Sequence, residues 1–93
     1  MNVRWRGQFK KDYKLVTKQG KDIDELDWVI GELAAPNPLP EQYRDHALTG
    51  NWRGYRECHL APDWLLIYGY ETLDDGERQL LLVRTGSHSV LLF

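Results

Sequence analysis

A single cysteine in 93 residues excludes two common designs for a small protein. Cys58 has no partner for an internal disulfide and cannot anchor a cysteine-rich zinc site, and its strand-like neighbours mark it as a small buried hydrophobe rather than a reactive thiol. No window approaches the roughly 18 apolar residues of a membrane span, and the opening MNVRWRGQFKK has no apolar run of signal-peptide length. The expectation is a cytoplasmic protein with no membrane partner. Metal-site spacings are missing as well: there is no His-x-x-x-His pair, no Cys-x-x-Cys and no clustered carboxylate motif. Ser87 and Ser89 flank His88 without the Gly-x-Ser-x-Gly elbow of a serine nucleophile.

Large side chains are plentiful. Hydrophobic residues make up 42% of the chain, with four Trp, five Tyr and two Phe among them. A chain this short hides only about 60% of its unfolded surface, so one compact domain over residues 1–93 has to use those side chains well. The formal net charge of -2 conceals an asymmetry. Residues 1–21 carry Arg4, Arg6, Lys10, Lys11, Lys14, Lys18 and Lys21 against Asp12 alone, for +6, whereas residues 22–45 sum to -6. A solvated helix face and a strip that binds a polyanion are both readings of such a run, and charge alone does not choose between them.

Periodicity and chain breakers outline the elements. Val3 and Trp5 alternate with Arg4 and Arg6 as a short strand, and Gly7 opens a helix on which Phe9, Tyr13 and Val16 recur at helical spacing until Gly20. A second helix runs from about Asp22 to Ala35, with Ile23, Leu26, Ile30 and Leu33 on one stripe and acids at its positive N-terminal end. Residues 36–51 hold three prolines and no period, which predicts a surface loop containing His46. Tyr55 to Leu60, Trp64 to Glu71 and Gln79 to Arg84 then read as strands, and Gly86 with SVLLF as a bend and one further strand. The expected fold is α+β, β-α-α-β-β-β(β), with a twisted antiparallel sheet carrying two helices on one face and a partly open second face.

The segment CHLAPDW places His59 four residues before Asp63. Pro62 and Asp63 are turn formers, so by itself the segment reads as the polar tip of a hairpin. Each of the three histidines, His46, His59 and His88, is alone a weak signal. Together with Asp63 and Arg84 they supply groups that titrate near neutrality and a fixed positive charge, the requirements of phosphodiester cleavage. Arg84 and His88 share a side if the chain stays extended between them, although Gly86 can break that parity.

LPEQYRDHALTGNWRGYRECHLAPDWLLIY followed by LLLVRTGSHSVLLF, with FKKDYKL near the start, resembles the YafQ branch of the RelE toxin family over nearly the whole chain. The resemblance implies a microbial-ribonuclease-like fold. It also implies a ribosome-dependent endoribonuclease that cleaves mRNA in the ribosomal A site, contacts ribosomal RNA and is held inactive by a cognate antitoxin. Its site residues fall on His46 in YRDHAL, His59 and Asp63 in CHLAPDW, Arg84 in VRTG and His88 in GSH. The implied chemistry is acid–base cleavage without a metal or other cofactor, with the RNA 2′-hydroxyl attacking the neighbouring phosphorus to leave a 2′,3′-cyclic phosphate. On this reading Asp63 or His59 takes the 2′-proton, His88 protonates the leaving 5′-oxygen, Arg84 meets the charge on the phosphate, and His46 orients the substrate or shares proton transfer.

The RNA- and ribosome-contacting set expected with this chemistry is Lys10, Lys11, Lys14, Arg56, Trp64 and Phe93. Two departures from the family pattern stand out. The tail aromatic of the family falls at Leu92 here, with Phe93 one residue later, and the acidic segment 68–79 is long for a hairpin connection and is expected to point away from RNA. A non-catalytic module that binds ribosome or antitoxin is the alternative, and the intact histidine and arginine set argues against it.

Overall fold

The computed structural model describes residues 1–91; Leu92 and Phe93, and with them the expectation for the tail aromatic, lie outside the described residues. The strands are β1 (Asn2–Trp5), β2 (His46–Ala47), β3 (Arg56–Ala61), β4 (Trp64–Thr72) and β5 (Arg78–Gly86). The helices are α1 (Gly7–Lys18), α2 (Ile23–Ala34) and a single turn, α3 (His88–Leu91). Phe9, Asp12 and Val16 form the buried stripe of α1. The helix ends at Gly20, whose φ of 76° lets its N–H reach the Thr17 carbonyl at 3.1 Å while the Lys21 N–H closes on the Val16 carbonyl, also at 3.1 Å. Only a residue tolerant of the left-handed region makes that paired closure without strain. α2 starts where Asp22 accepts the Glu25 N–H at 3.1 Å, and it buries Leu26, Val29, Ile30 and Leu33.

The sheet has five strands in the order β1-β5-β4-β3-β2. It is mixed rather than wholly antiparallel: β2–β3, β3–β4 and β4–β5 pair antiparallel, but β1 pairs parallel with β5, Val3 opposite Leu80 and Trp5 opposite Leu82. A tight turn imposes antiparallel pairing only on consecutive strands, and β1 reaches β5 after the rest of the chain has intervened. The helix-side core joins Phe9, Val16, Leu26, Val29 and Leu33 to Cys58, Leu60, Leu66, Tyr68, Leu80 and Leu82 of the strands. In β4, Leu65, Leu66 and Ile67 are each 0% exposed, as suits a central strand with both faces covered, and each fully buried side chain of this size contributes roughly 1.5–3 kcal/mol.

Three further expectations change. The second face of the sheet is not open, because Leu65, Ile67, Leu81, Val83 and Leu91 form a second core there, roofed by Leu48, Trp52 and Tyr55. The expected final strand is the helical turn α3, started by Ser87, whose hydroxyl accepts the Val90 N–H at 3.3 Å and whose carbonyl accepts the Leu91 N–H at 3.0 Å. An apolar run after a serine is open to either period, and burial of Leu91 in the second core selects the helix. His46 lies in the two-residue strand β2 rather than in a loop, since His46 and Ala47 ladder onto Glu57 and Arg56. The expected long connection 68–79 is mostly strand, since residues 68–72 belong to β4 and 78–79 to β5; the five-residue connection 73–77 sits at the far end of the hairpin from Asp63, about 30 Å away along the nine residues of β4.

Candidate active site

Cross-strand register gathers residues that are far apart in the chain. Glu57 and His59 stand opposite Ile67 and Leu65, members of the second core, whereas Cys58 between them belongs to the helix-side core. Both polar side chains therefore emerge on the face away from the helices. One row across the sheet runs Arg84, Ile67, Glu57, His46, and the next runs Gly86, Leu65, His59. Two bulges shape the rim. One, after His59, leaves Leu60 extra in the ladder and swings the chain into the Pro62–Asp63 tip; the other makes Val83 extra in β5.

The three histidines are brought together. The ring centroids of His46 and His59 are 6.1 Å apart and nearly parallel, and those of His59 and His88 are 6.2 Å apart. Between the first pair lies Glu57, only 7% exposed, with its Oε1 3.7 Å from His46 Nε2 and 3.5 Å from His59 Nε2. Sequence reasoning missed Glu57; its spacing of two from His59 in a strand was the signal available. His46 Nδ1 lies 2.8 Å from the Arg44 carbonyl, and His59 Nδ1 is buried without a hydrogen-bond partner among the described residues.

Asp63 accepts the His88 backbone N–H at 2.9 Å, and the same oxygen lies 2.7 Å from His88 Nδ1. These two bonds, the backbone one first, hold the Asp63 carboxyl below its ordinary pKa. An ionised carboxylate only accepts, so Nδ1 carries the proton and Nε2 of His88 is left for a substrate. The pair is exposed, and the site opens onto two clefts: one of about 320 Å³ lined by Gln42, Arg44, His59 and Pro62, the other of about 270 Å³ lined by Leu15, Lys21, Asp63 and Ser87.

Arg84 shares a row with Glu57 and His46, but its guanidinium is held by α1. Its Nε donates to Asp12 Oδ2 at 2.7 Å and a terminal nitrogen to Oδ1 at 3.3 Å. The same carboxylate accepts the Thr85 N–H at 3.2 Å and the Gln8 amide at 3.1 Å, and Asp12 is 4% exposed. Asp12 was the lone acid of the basic segment, and that isolation was its only mark in the sequence.

The expected RNA-contacting residues scatter. Lys10, Lys11 and Lys14 are exposed along α1. Trp64 is core, 3% exposed, with its indole N–H satisfied by Thr85 Oγ1 at 2.9 Å, so it offers no free ring to a base. Arg56 has the parity of Cys58 and leaves the sheet on the helix side, where its Nε donates to Asp45 at 3.1 Å. Burial raises the Cys58 thiol far above its ordinary pKa, which removes it as a nucleophile. Among the described residues no group of three or more His, Cys, Asp or Glu side chains is arranged to hold a metal ion.

Residues 1–93 match the family described as bacterial toxin of type II toxin-antitoxin system, YafQ. The chain belongs to the YafQ toxin family. It is 40% identical to the mRNA interferase toxin YafQ of Escherichia coli (strain K12) over 91 residues, 97% of this chain and 94% of that protein. The fold agrees with the crystal structure of YafQ from E. coli strain BL21(DE3) at a TM-score of 0.86 and 40% identity, covering 99% of this chain and 98% of the other. The toxin in the crystal structure of the E. coli DinJ–YafQ complex superposes at a TM-score of 0.79 with 40% identity, covering 99% of this chain and 98% of that one. The YafQ fold here is thus the α+β architecture expected, with the histidines gathered on the side of the sheet away from α1 and α2.

Proposed function

We propose that this chain is an mRNA interferase, an endoribonuclease toxin that cleaves mRNA in the ribosomal A site and is neutralised by a cognate antitoxin. The observation that carries the reading is the convergence of His46, His59 and His88 with two carboxylates on one sheet face. Relatives support it by name: the E. coli protein is an mRNA interferase toxin, and YafQ there forms a complex with DinJ.

On this reading the proton work is divided among the side chains of the site. Asp63, held as a carboxylate by His88, is a weak base at neutrality and acts as the group that orients His88. His88 Nε2 protonates the leaving 5′-oxygen. His59 takes the 2′-proton, and the Glu57 carboxylate beside it stabilises the imidazolium that results. His46, tied to the Arg44 carbonyl and next to Glu57, orients the nucleotide. Arg84, steadied by Asp12, faces the negative charge that grows on the phosphate.

Mapping RNA 5′ ends in a translating extract tests this reading. Wild-type protein is expected to yield 5′-hydroxyl ends at cuts within the A-site codon, and a 2′-deoxy nucleotide on the 5′ side of the cut should abolish cleavage there. Normal cutting of the 2′-deoxy message would show that the 2′-hydroxyl is not the attacking group.

A further inference from the structure

A second cleft opens on the same face, the one away from α1 and α2, beside the roof of the second core. It holds about 260 Å³ and is lined by Arg6, Arg53, Gly54, Tyr55, Gly69 and Glu71, among others. Arg4 stands opposite Leu81, and Leu81 opposite Gly69, so the row that crosses the cleft floor begins at another arginine. Tyr55 lies just before β3, four residues from His59, which puts the cleft about 13 Å from the histidines along one strand direction.

Three features suit the cleft to a polyanion. First, Arg6 is preorganised: its terminal nitrogen donates to Tyr55 Oη at 3.1 Å, and the guanidinium lies over the Tyr55 ring at 5.6 Å from the centroid. Second, the side chains of Arg4 and Arg53 are exposed and make no hydrogen bond or ion pair among the described residues, so their charge is uncommitted. Third, the tyrosine under Arg6 is itself seated by glycines: Gly69 leaves room for its ring, since a Cβ there would stand 3.1 Å from Tyr55 Cδ1, and Gly54 before it turns at φ 95°, where a side chain is disfavoured. The lining has one acid, Glu71, whose carboxylate accepts the Gln79 amide.

We propose that this cleft is a second RNA subsite, in which Arg6 and Arg53 bind a phosphodiester of a strand that also crosses the histidine cluster. It rests on the reading of the chain as an RNA-cleaving toxin and adds a phosphate-binding pair that lies outside the site residues implied by the family. Arginine forks match phosphate geometry, and two of them here hold the RNA in register without reading its sequence. The phosphate belongs either to the message or to ribosomal RNA.

The test measures binding in a cleavage-dead His88→Ala background, to empty ribosomes and to ribosomes programmed with message, across a salt series. Arg6→Gln/Arg53→Gln is expected to flatten the slope of log affinity against log salt by about 0.7 to 0.9, the contribution of one phosphate that is no longer neutralised. Flattening on both ribosome preparations assigns the phosphate to ribosomal RNA; flattening on programmed ribosomes alone assigns it to the message. Arg53→Gln by itself, a change at an exposed side chain without partners, should produce about half the effect with an unaltered melting temperature. An unchanged slope in both variants overturns the proposal, as does weakened binding to the antitoxin with ribosome binding intact. Cleavage by wild-type protein is scored separately, so failure of the toxin reading shows up as absent cleavage and failure of the subsite as an unchanged slope.

Discussion

Replacing Asp12 by Asn tests whether α1 holds the arginine of the site. The change keeps the shape of the side chain and removes its charge. An amide oxygen in the place of Oδ2 can still accept the Thr85 N–H and the Arg84 Nε–H, but the new NH₂ in the place of Oδ1 confronts the Arg84 terminal nitrogen, now 3.3 Å away, and the Gln8 amide, and the charge that paired with the guanidinium is gone. Breaking a fully buried ion pair by removing one partner costs about 3–5 kcal/mol. Arg84 keeps 23% of its side-chain exposure, and solvent screening trims the expected loss to roughly 2–3 kcal/mol. For a domain of this size each kcal/mol moves the melting temperature by about 4–8 °C, so thermal unfolding followed by circular dichroism should show a fall of roughly 10–20 °C. Arg84→Gln removes the same interaction, and the double variant should cost less than the sum of the two singles. At temperatures where Asp12→Asn is folded, cleavage should drop about tenfold, equivalent to ~1.4 kcal/mol of lost transition-state stabilisation. Melting within about 2 °C of wild type, or strict additivity in the cycle, would refute the account of Asp12 as the anchor of Arg84.

The remaining expectations concern groups whose roles are separable. His59→Ala and His88→Ala should each lower cleavage by about 10² to 10⁴-fold, read from single-turnover rates on programmed ribosomes; a loss under tenfold would remove that residue from proton transfer. Asp63, with its folded pKa depressed, contributes to stability above its unfolded pKa and loses that contribution as the pH falls through the folded value. An NMR titration should place its midpoint below 3.8, and His88→Ala should return only part of the shift because the backbone N–H remains; a wild-type midpoint at or above 3.8 contradicts the pairing. Charge reversal of Lys10, Lys11 and Lys14 should weaken ribosome association and flatten its salt dependence, while an unchanged slope makes that stretch of α1 a solvated face.

Much of this protein is legible in the chain itself. Helical spacing of Phe9 and Val16, the stop at Gly20, the cap at Asp22 and the continuous apolar run at Leu65 to Tyr68 are local signals, and local backbone chemistry enforces them. The family is legible too, because its motifs sit in contiguous stretches such as CHLAPDW and VRTGSH. What the chain alone left open depends on pairing between distant residues. Parallel placement of β1 beside β5, the bulges after His59 and at Val83, and burial of Leu91 are settled by which surfaces cover which, and no local period encodes that. Parity along β3 sent Arg56 to the helix side, and packing took Trp64 into the core, although both residue types are common at nucleic-acid surfaces. Glu57 and Asp12 became visible only through register and helix docking, because an acid acquires its meaning from the cation or imidazole that folding sets beside it.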